Sequence, residues 1–83
     1  MDNILSIKKE LIGRVKSRRK EHRLTQTGLA THSRVSFGSI KRFERFGEIS
    51  LKSLLRIALI LNNLNDFNSL FKENFSLNNT QQS

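Results

Sequence analysis

The spacing of apolar residues along the chain has the period of an α-helix. Leu5 and Ile12 fall on one stripe near the start, and this stripe predicts a helix over residues 1–24. Asp2 or Asn3 is suited to cap it, because both side chains can accept a hydrogen bond from a free backbone N–H. The same spacing returns in later segments. The pattern as a whole predicts an all-α fold.

Two short helices separated by a break are predicted between Thr25 and Gly47. Thr25 is expected to cap the first of them and Ser36 the second, since a hydroxyl at this position accepts from a backbone N–H two or three residues on. The second helix is expected to run from about residue 37 to residue 45. The side chains expected to face inward are Leu29, Ala30, Val35, Ile40 and Phe43.

A fourth and a fifth helix are predicted after Gly47. Ser50 is expected to cap the fourth, and Asn62 to end it in a left-handed conformation. Asp66 is expected to cap a short fifth helix, whose apolar face suits either closure of the core or a dimer seam. The apolar residues expected in the two helices are Leu51, Leu54, Leu55, Ala58, Leu59 and Leu61, and then Leu64, Phe67, Leu70 and Phe71.

The composition limits the classes of protein to which the chain can belong. Eighty-three residues suffice for one domain, placed over residues 1–75, followed by a disordered polar tail over residues 76–83. There is no cysteine, and neither His22 nor His32 has a suitably spaced partner, so no metal site and no cofactor are expected. No phosphate-binding loop or catalytic arrangement is visible, which argues against an enzyme.

Charge is distributed unevenly along the chain. Residues 1–56 hold 14 Lys and Arg and 5 Asp and Glu, a net +9, whereas residues 57–83 hold 1 and 2, a net −1; together they give +8. A basic excess concentrated in one part of a chain is typical of a partner with a phosphate backbone. The alternative is a basic surface that serves only solubility. The longest apolar run, residues 57–61, is too short to span a bilayer, so we expect a cytoplasmic protein with no membrane partner.

The outward face of the third predicted helix is basic and carries hydroxyl groups. Two short helices joined by a tight turn, with polar and basic side chains outward on the second, are the components of a helix-turn-helix. In that motif the second helix lies in the major groove of DNA, with its first residues on base edges. The residues that form this outward face are Ser39, Lys41, Arg42 and Arg45.

Five positions in this segment resemble a known family, namely Gln26, Ala30, Val35, Ile40 and Phe43. They resemble the Cro/C1-type (XRE) helix-turn-helix family, and the resemblance extends over about residues 11–71. It implies a five-helix lambda-repressor-like DNA-binding domain. Residues 36–71 are also similar, more narrowly, to the HipB-type antitoxins that accompany HipA-like kinase toxins.

The resemblance implies a function and a set of partners. The chain would be a transcriptional repressor that binds an inverted-repeat operator in double-stranded DNA as a homodimer, associated with the nucleoid. It would be the autoregulating antitoxin of a toxin–antitoxin operon. The alternative is a protein-interaction antitoxin whose main role is to bind a HipA-like toxin, with DNA binding secondary.

The resemblance also implies roles for individual residues. Arg42 is expected to read guanine, because its planar fork can meet O6 and N7 together. Phe37 is expected either to press on a thymine methyl group, if it is exposed, or to belong to the core. Arg19, seven residues before Gln26, is expected to form a partly buried ion pair with Glu44. The residues expected at the DNA are Gln26, Ser36, Phe37, Gly38, Ser39, Lys41, Arg42 and Arg45.

Two positions depart from the pattern of the family. The end of the first helix and the turn of the helix-turn-helix often carry glycine, whereas this chain has Arg23 and Arg34. If a left-handed backbone is kept there, each arginine costs on the order of 1 kcal/mol. Phosphate contacts of these arginines, or turns of a different shape, are the two explanations that the sequence leaves open.

Overall fold

The computed structural model describes residues 3–73. Within this range the backbone forms four α-helices and one 3₁₀ helix, with no β-strand, so the all-α prediction is confirmed. The predicted tail over residues 76–83 and the possible cap at Asp2 lie outside the described residues. None of the described helices is long and apolar enough to cross a membrane. The elements are α1 (Ile4–Glu21), α2 (Gln26–Ser33), α3 (Phe37–Phe46), α4 (Leu51–Ile60) and the 3₁₀ helix (Leu64–Ser69).

Each α-helix begins at a side chain that accepts from the backbone N–H three residues further on. These donor–acceptor distances lie between 2.8 and 3.1 Å. Such a bond satisfies one of the N–H groups that have no partner within the first turn. The predicted caps are therefore confirmed at Asn3, Thr25, Ser36 and Ser50.

Several helices end at a residue with a left-handed backbone. Arg23 (φ 58°) and Asn62 (φ 60°) follow α1 and α4, and in both turns two backbone N–H groups bond back to carbonyls of the last helical turn. Arg34 (φ 60°) ends α2, and Gly47 (φ 73°) ends α3. Arg23 and Arg34 thus both adopt the left-handed conformation. This conformation costs on the order of 1 kcal/mol at each arginine.

The core lies where α2 packs against α3 and α4, and α1 closes it from the side of α3. Leu29 of α2 is wholly buried at its centre. The predicted inward stripe of α4 is partly wrong, since Leu51 and Leu59 are 64% and 58% exposed. Ile57 is instead the residue of α4 that faces the core. The buried apolar residues are Leu29, Val35, Ile40, Phe43, Ile57, Ala58 and Leu61.

The two ends of the described chain also differ from the predictions. Helix α1 stops at Glu21 rather than at residue 24, and Leu5 is 62% exposed. The fifth helix is a short 3₁₀ segment in which Asp66 is an internal residue and accepts from the Asn63 side chain at 3.1 Å, so its prediction as a cap is wrong. Phe71 follows this segment and is fully exposed. Six residues rich in Asn and Asp make a weak helix, because these side chains bond to nearby backbone and to one another instead.

Candidate nucleic-acid interface

Three residues join α2 to α3. Arg34 turns the chain through its left-handed conformation, Val35 is 4% exposed and anchors the turn in the core, and Ser36 caps α3. A turn of three or four residues between two packed helices is the connection found in helix-turn-helix motifs. Because Val35 fixes the turn from inside and Ser36 fixes the start of α3, the first residues of α3 are held in place by local contacts.

Helix α3 has two chemically distinct faces. Ile40 and Phe43 are buried against the core, and the single acidic residue of the helix, Glu44, is turned inward with them. The opposite face is open to solvent. The exposed charged residues of α3 are Lys41, Arg42 and Arg45.

Three helices meet at the carboxylate of Glu44. The Arg19 guanidinium of α1 donates from Nε to Oε2 at 2.7 Å and from Nη2 to Oε1 at 3.0 Å. Gln26 of α2 donates from Nε2 to Oε1 at 2.9 Å. Arg19 also donates from Nη1 to the backbone carbonyl of Leu24 at 2.9 Å. Arg19 and Glu44 are each only 8% exposed, so this cluster fixes α3 relative to α1 and α2 from within the protein.

The environment of Glu44 favours its ionised form. Burial by itself raises the pKa of this carboxyl. The hydrogen bonds from Arg19 and Gln26, together with the charges of Arg19 and Lys16, act in the opposite direction and leave the pKa below its ordinary value. The carboxylate is therefore charged at neutral pH, and its charge is directed at Arg19 rather than at solvent.

The N-terminal end of α3 is small and polar apart from one aromatic ring. The Ser36 hydroxyl donates to that of Ser39 at 2.7 Å. A Cβ atom at Gly38 would meet no described atom within 4 Å, so packing does not require glycine there. Phe37 is 43% exposed, and the Lys41 ammonium lies 5.2 Å from the centre of its ring. Of the two predicted locations for Phe37, exposed or in the core, the structure shows the exposed one.

Gln26 takes a position that the sequence did not predict. The resemblance implied that its side chain reaches outward, yet its amide nitrogen is bonded to Glu44 and the residue is half-buried. Gln26 is the first residue of α2 and follows the Thr25 cap. Its side chain therefore connects α2 to α3, while its backbone forms part of the N-terminal end of α2.

Phe46 is a surface residue that sequence reasoning missed. It lies at the end of α3, is 57% exposed, and has the Arg45 guanidinium 5.3 Å from its ring centre. Phe46 lies three residues after the buried Phe43, which is the spacing of a core residue. The pattern therefore gave no sign that its ring is at the surface. Together with Phe37 it gives each end of the basic face an aromatic ring over which a cation is held.

The arrangement has the chemistry to bind a polyanion through one helix. Three cations, the Ser39 hydroxyl group and an uncrowded glycine lie on the outer side of α3, and the Ser36 hydroxyl group caps its start. The one acidic residue of the helix is paired with Arg19 inside the protein. No protein-family model, no curated protein and no solved structure matches the chain.

Proposed function

We propose that the chain is a sequence-specific DNA-binding repressor that inserts α3 into the major groove of an inverted-repeat operator as a homodimer. The observation that carries the proposal is the sorting of charge on α3. All of its cations face outward, and Glu44 faces inward onto Arg19 at 2.7 Å. A helix sorted in this way presents a uniformly positive surface to the phosphates that border the groove.

The proposed roles follow from the position and the chemistry of each side chain. Arg42 reads a guanine through two parallel hydrogen bonds. Lys41 and Arg45 bind phosphates on either side of the groove and set the position of the helix. Phe37, exposed at the start of α3, presses on a thymine methyl group. Gly38 allows the backbone to approach the base edges closely.

The experiment is fluorescence anisotropy with a labelled duplex from the upstream region of the gene, compared with a scrambled duplex over a salt series. We expect wild type to prefer the upstream duplex with a steep salt dependence. Arg42→Ala should lose about 1–3 kcal/mol of discrimination at one base pair, whereas Lys41→Ala should weaken all duplexes evenly and reduce the salt slope by about 1.

A matched control for these variants is Lys52→Ala. Lys52 is an exposed cation on α4 rather than on α3, and its removal changes the net charge by the same amount as that of Lys41. We expect Lys52→Ala to bind DNA as wild type does. If Arg42→Ala and Lys41→Ala had equal effects on every operator variant, or if Lys52→Ala matched both, the proposed roles would be wrong.

We further propose that this repressor is the autoregulating antitoxin of a toxin–antitoxin operon with a HipA-like kinase toxin. The support is the similarity of residues 36–71 to HipB-type antitoxins. Co-purification with the product of the neighbouring reading frame tests it, and a neighbour that is not kinase-like and does not co-purify would end this part of the proposal. If toxin binding is the main role, Arg42→Ala should still capture the toxin and retain most of its biological effect.

A further inference from the structure

A wide apolar groove lies on the side of the protein formed by α1, α4 and the 3₁₀ helix. Its volume is about 1110 Å³, and it is open to solvent. Its apolar lining includes Leu11 and Val15 from α1, Leu54 from α4 and Phe67 from the 3₁₀ helix. No residue of α3 lines it, so the groove and the basic face of α3 are separate surfaces. Both can be occupied at the same time.

The rim of the groove adds large exposed apolar side chains. Ile7 on the α1 side is 54% exposed, and Leu70 on the opposite side is 56% exposed. Continuous apolar surface of this kind on a small domain marks a site where another macromolecule binds. Eighteen residues line the groove, close to the roughly 20–30 that each partner contributes to a stable protein–protein interface.

The charges around the groove distinguish among its possible occupants. The protein as a whole carries +8, but the charged residues lining the groove carry two positive and three negative charges, a net −1. Both arginines are already paired there, Arg14 with Glu10 at 2.9 Å and Arg18 with Glu21 at 2.7 Å. Two copies that meet at this face therefore bring together lining charges that sum to only −2, rather than the basic excess of the rest of the chain.

A second apolar patch on α4 lacks this property. Its apolar residues are Leu51, which also lines the groove, Leu55, Leu59 and Leu64, and its charged residues are Lys52 and Arg56. Two copies that met there would bring four cations together, because a twofold interface uses the same patch on both subunits. Charge thus favours the groove over the α4 patch as the contact between copies of this chain.

We infer that a second copy of the chain docks in this groove, so that α1 and α4 of the two copies form a twofold interface. The inference rests on the proposed function for its purpose, because an inverted-repeat operator requires a twofold dimer. Gly13 lies on the α1 wall, and a Cβ atom there would meet nothing within 4 Å beyond its own helix. In the dimer the space beside Gly13 is taken by the partner copy.

The test is sedimentation velocity without DNA, over a range of protein concentrations, on Gly13→Gln and Gly38→Gln. Both glycines are helical and uncrowded, so either substitution leaves the fold intact, but only Gly13 lies in the groove. We expect wild type and Gly38→Gln to sediment as dimers. Gly13→Gln should raise the dimer dissociation constant at least tenfold while its circular dichroism spectrum stays that of a folded helical protein.

A second pair of variants guards against an effect particular to glycine. Leu70→Lys introduces a charge in the groove, and Leu59→Lys introduces the same charge at a site of similar exposure (58% against 56%) outside it. We expect only Leu70→Lys to weaken the dimer. A wild type that is monomeric at every concentration, or a dimer that survives both Gly13→Gln and Leu70→Lys, overturns the inference. Because no DNA is present, failure here is separate from failure of operator binding.

Discussion

Glu44→Gln tests whether the buried cluster of Arg19, Gln26 and Glu44 holds α3 in place. The substitution keeps the size of the side chain but removes its charge and replaces one oxygen by an NH₂ group. Arg19 donates to both carboxylate oxygens, so in either orientation of the new amide one Arg19 N–H faces another donor. Arg19 is only 8% exposed, so its positive charge is left inside the protein without an opposite charge.

The expected loss is large relative to the stability of a small domain. Removing one partner of a buried ion pair costs about 3–5 kcal/mol, because the remaining charge is left without compensation. A domain of this size has a total free energy of unfolding of about 5–15 kcal/mol. At roughly 4 °C or more per kcal/mol, the melting temperature should fall by about 12 °C or more.

The assay is urea unfolding followed by circular dichroism at 25 °C, repeated from pH 7 down to pH 3. The pKa of Glu44 is lowered in the folded protein, so its stabilisation is fully present above the ordinary carboxyl pKa of 4.5 and is lost as the pH falls through the folded value. The difference in free energy of unfolding between wild type and Glu44→Gln should therefore be largest near pH 7. It should shrink steadily below pH 4.5.

The matched control is Glu48→Gln. Glu48 also pairs with a cation, Lys8, and the hydrogen bond from Lys8 also lowers the pKa of its carboxyl, but the pair is exposed to solvent. Exposed ion pairs contribute little, so the melting temperature of this variant should stay close to that of wild type. An unchanged melting temperature for Glu44→Gln, or equal losses in both variants, would refute the role assigned to the cluster.

Two further substitutions should raise stability while lowering DNA affinity, as measured by urea unfolding and anisotropy. Gly38→Ala should gain roughly 0.5–1 kcal/mol from helix propensity, because the new methyl group meets nothing within 4 Å beyond its own helix, but it should obstruct the approach of DNA. Arg34→Gly should relieve left-handed strain on the order of 1 kcal/mol, less the added freedom of glycine in the unfolded chain, and should weaken DNA binding because Arg34 lies in the turn that leads into α3. Arg23→Gly is its control, and an equal loss of affinity in both arginine variants would show that only net charge matters.

The features that the sequence predicted well are those set by local hydrogen bonds. The caps at Thr25, Ser36 and Ser50 each depend on a side chain and a backbone N–H three residues apart, so the residue type alone carries the information. The inward stripe of α3 was predictable because the helix has a clear contrast between apolar and charged positions. Ile40 and Phe43 are apolar, the residues between them and directly after them in the sequence are charged, and both are buried.

The features that were missed depend on what lies across the molecule. Helix α4 is apolar on most of its circumference, so periodicity could not tell that Ile57 faces the core and that Leu59 faces solvent. The bond from Gln26 to Glu44 joins residues 18 positions apart, and only the packing of α2 on α3 brings them together. The groove could not be predicted either. An apolar residue of α1 has the same helical spacing whether it packs against its own chain or against another copy.

This last ambiguity applies to the apolar stripe of α1. Ile7 lies four residues before Leu11, the spacing of a shared helix face, yet it is 54% exposed and lines the groove. The one residue of α1 that is buried is Arg19. Selection for a docking face produces the same apolar stripe as selection for a core, since both bury the stripe in the assembled state. If a second copy covers the groove, Ile7 will exchange its exposed position for a buried one. The sequence pattern of α1 then describes the dimer rather than the single chain.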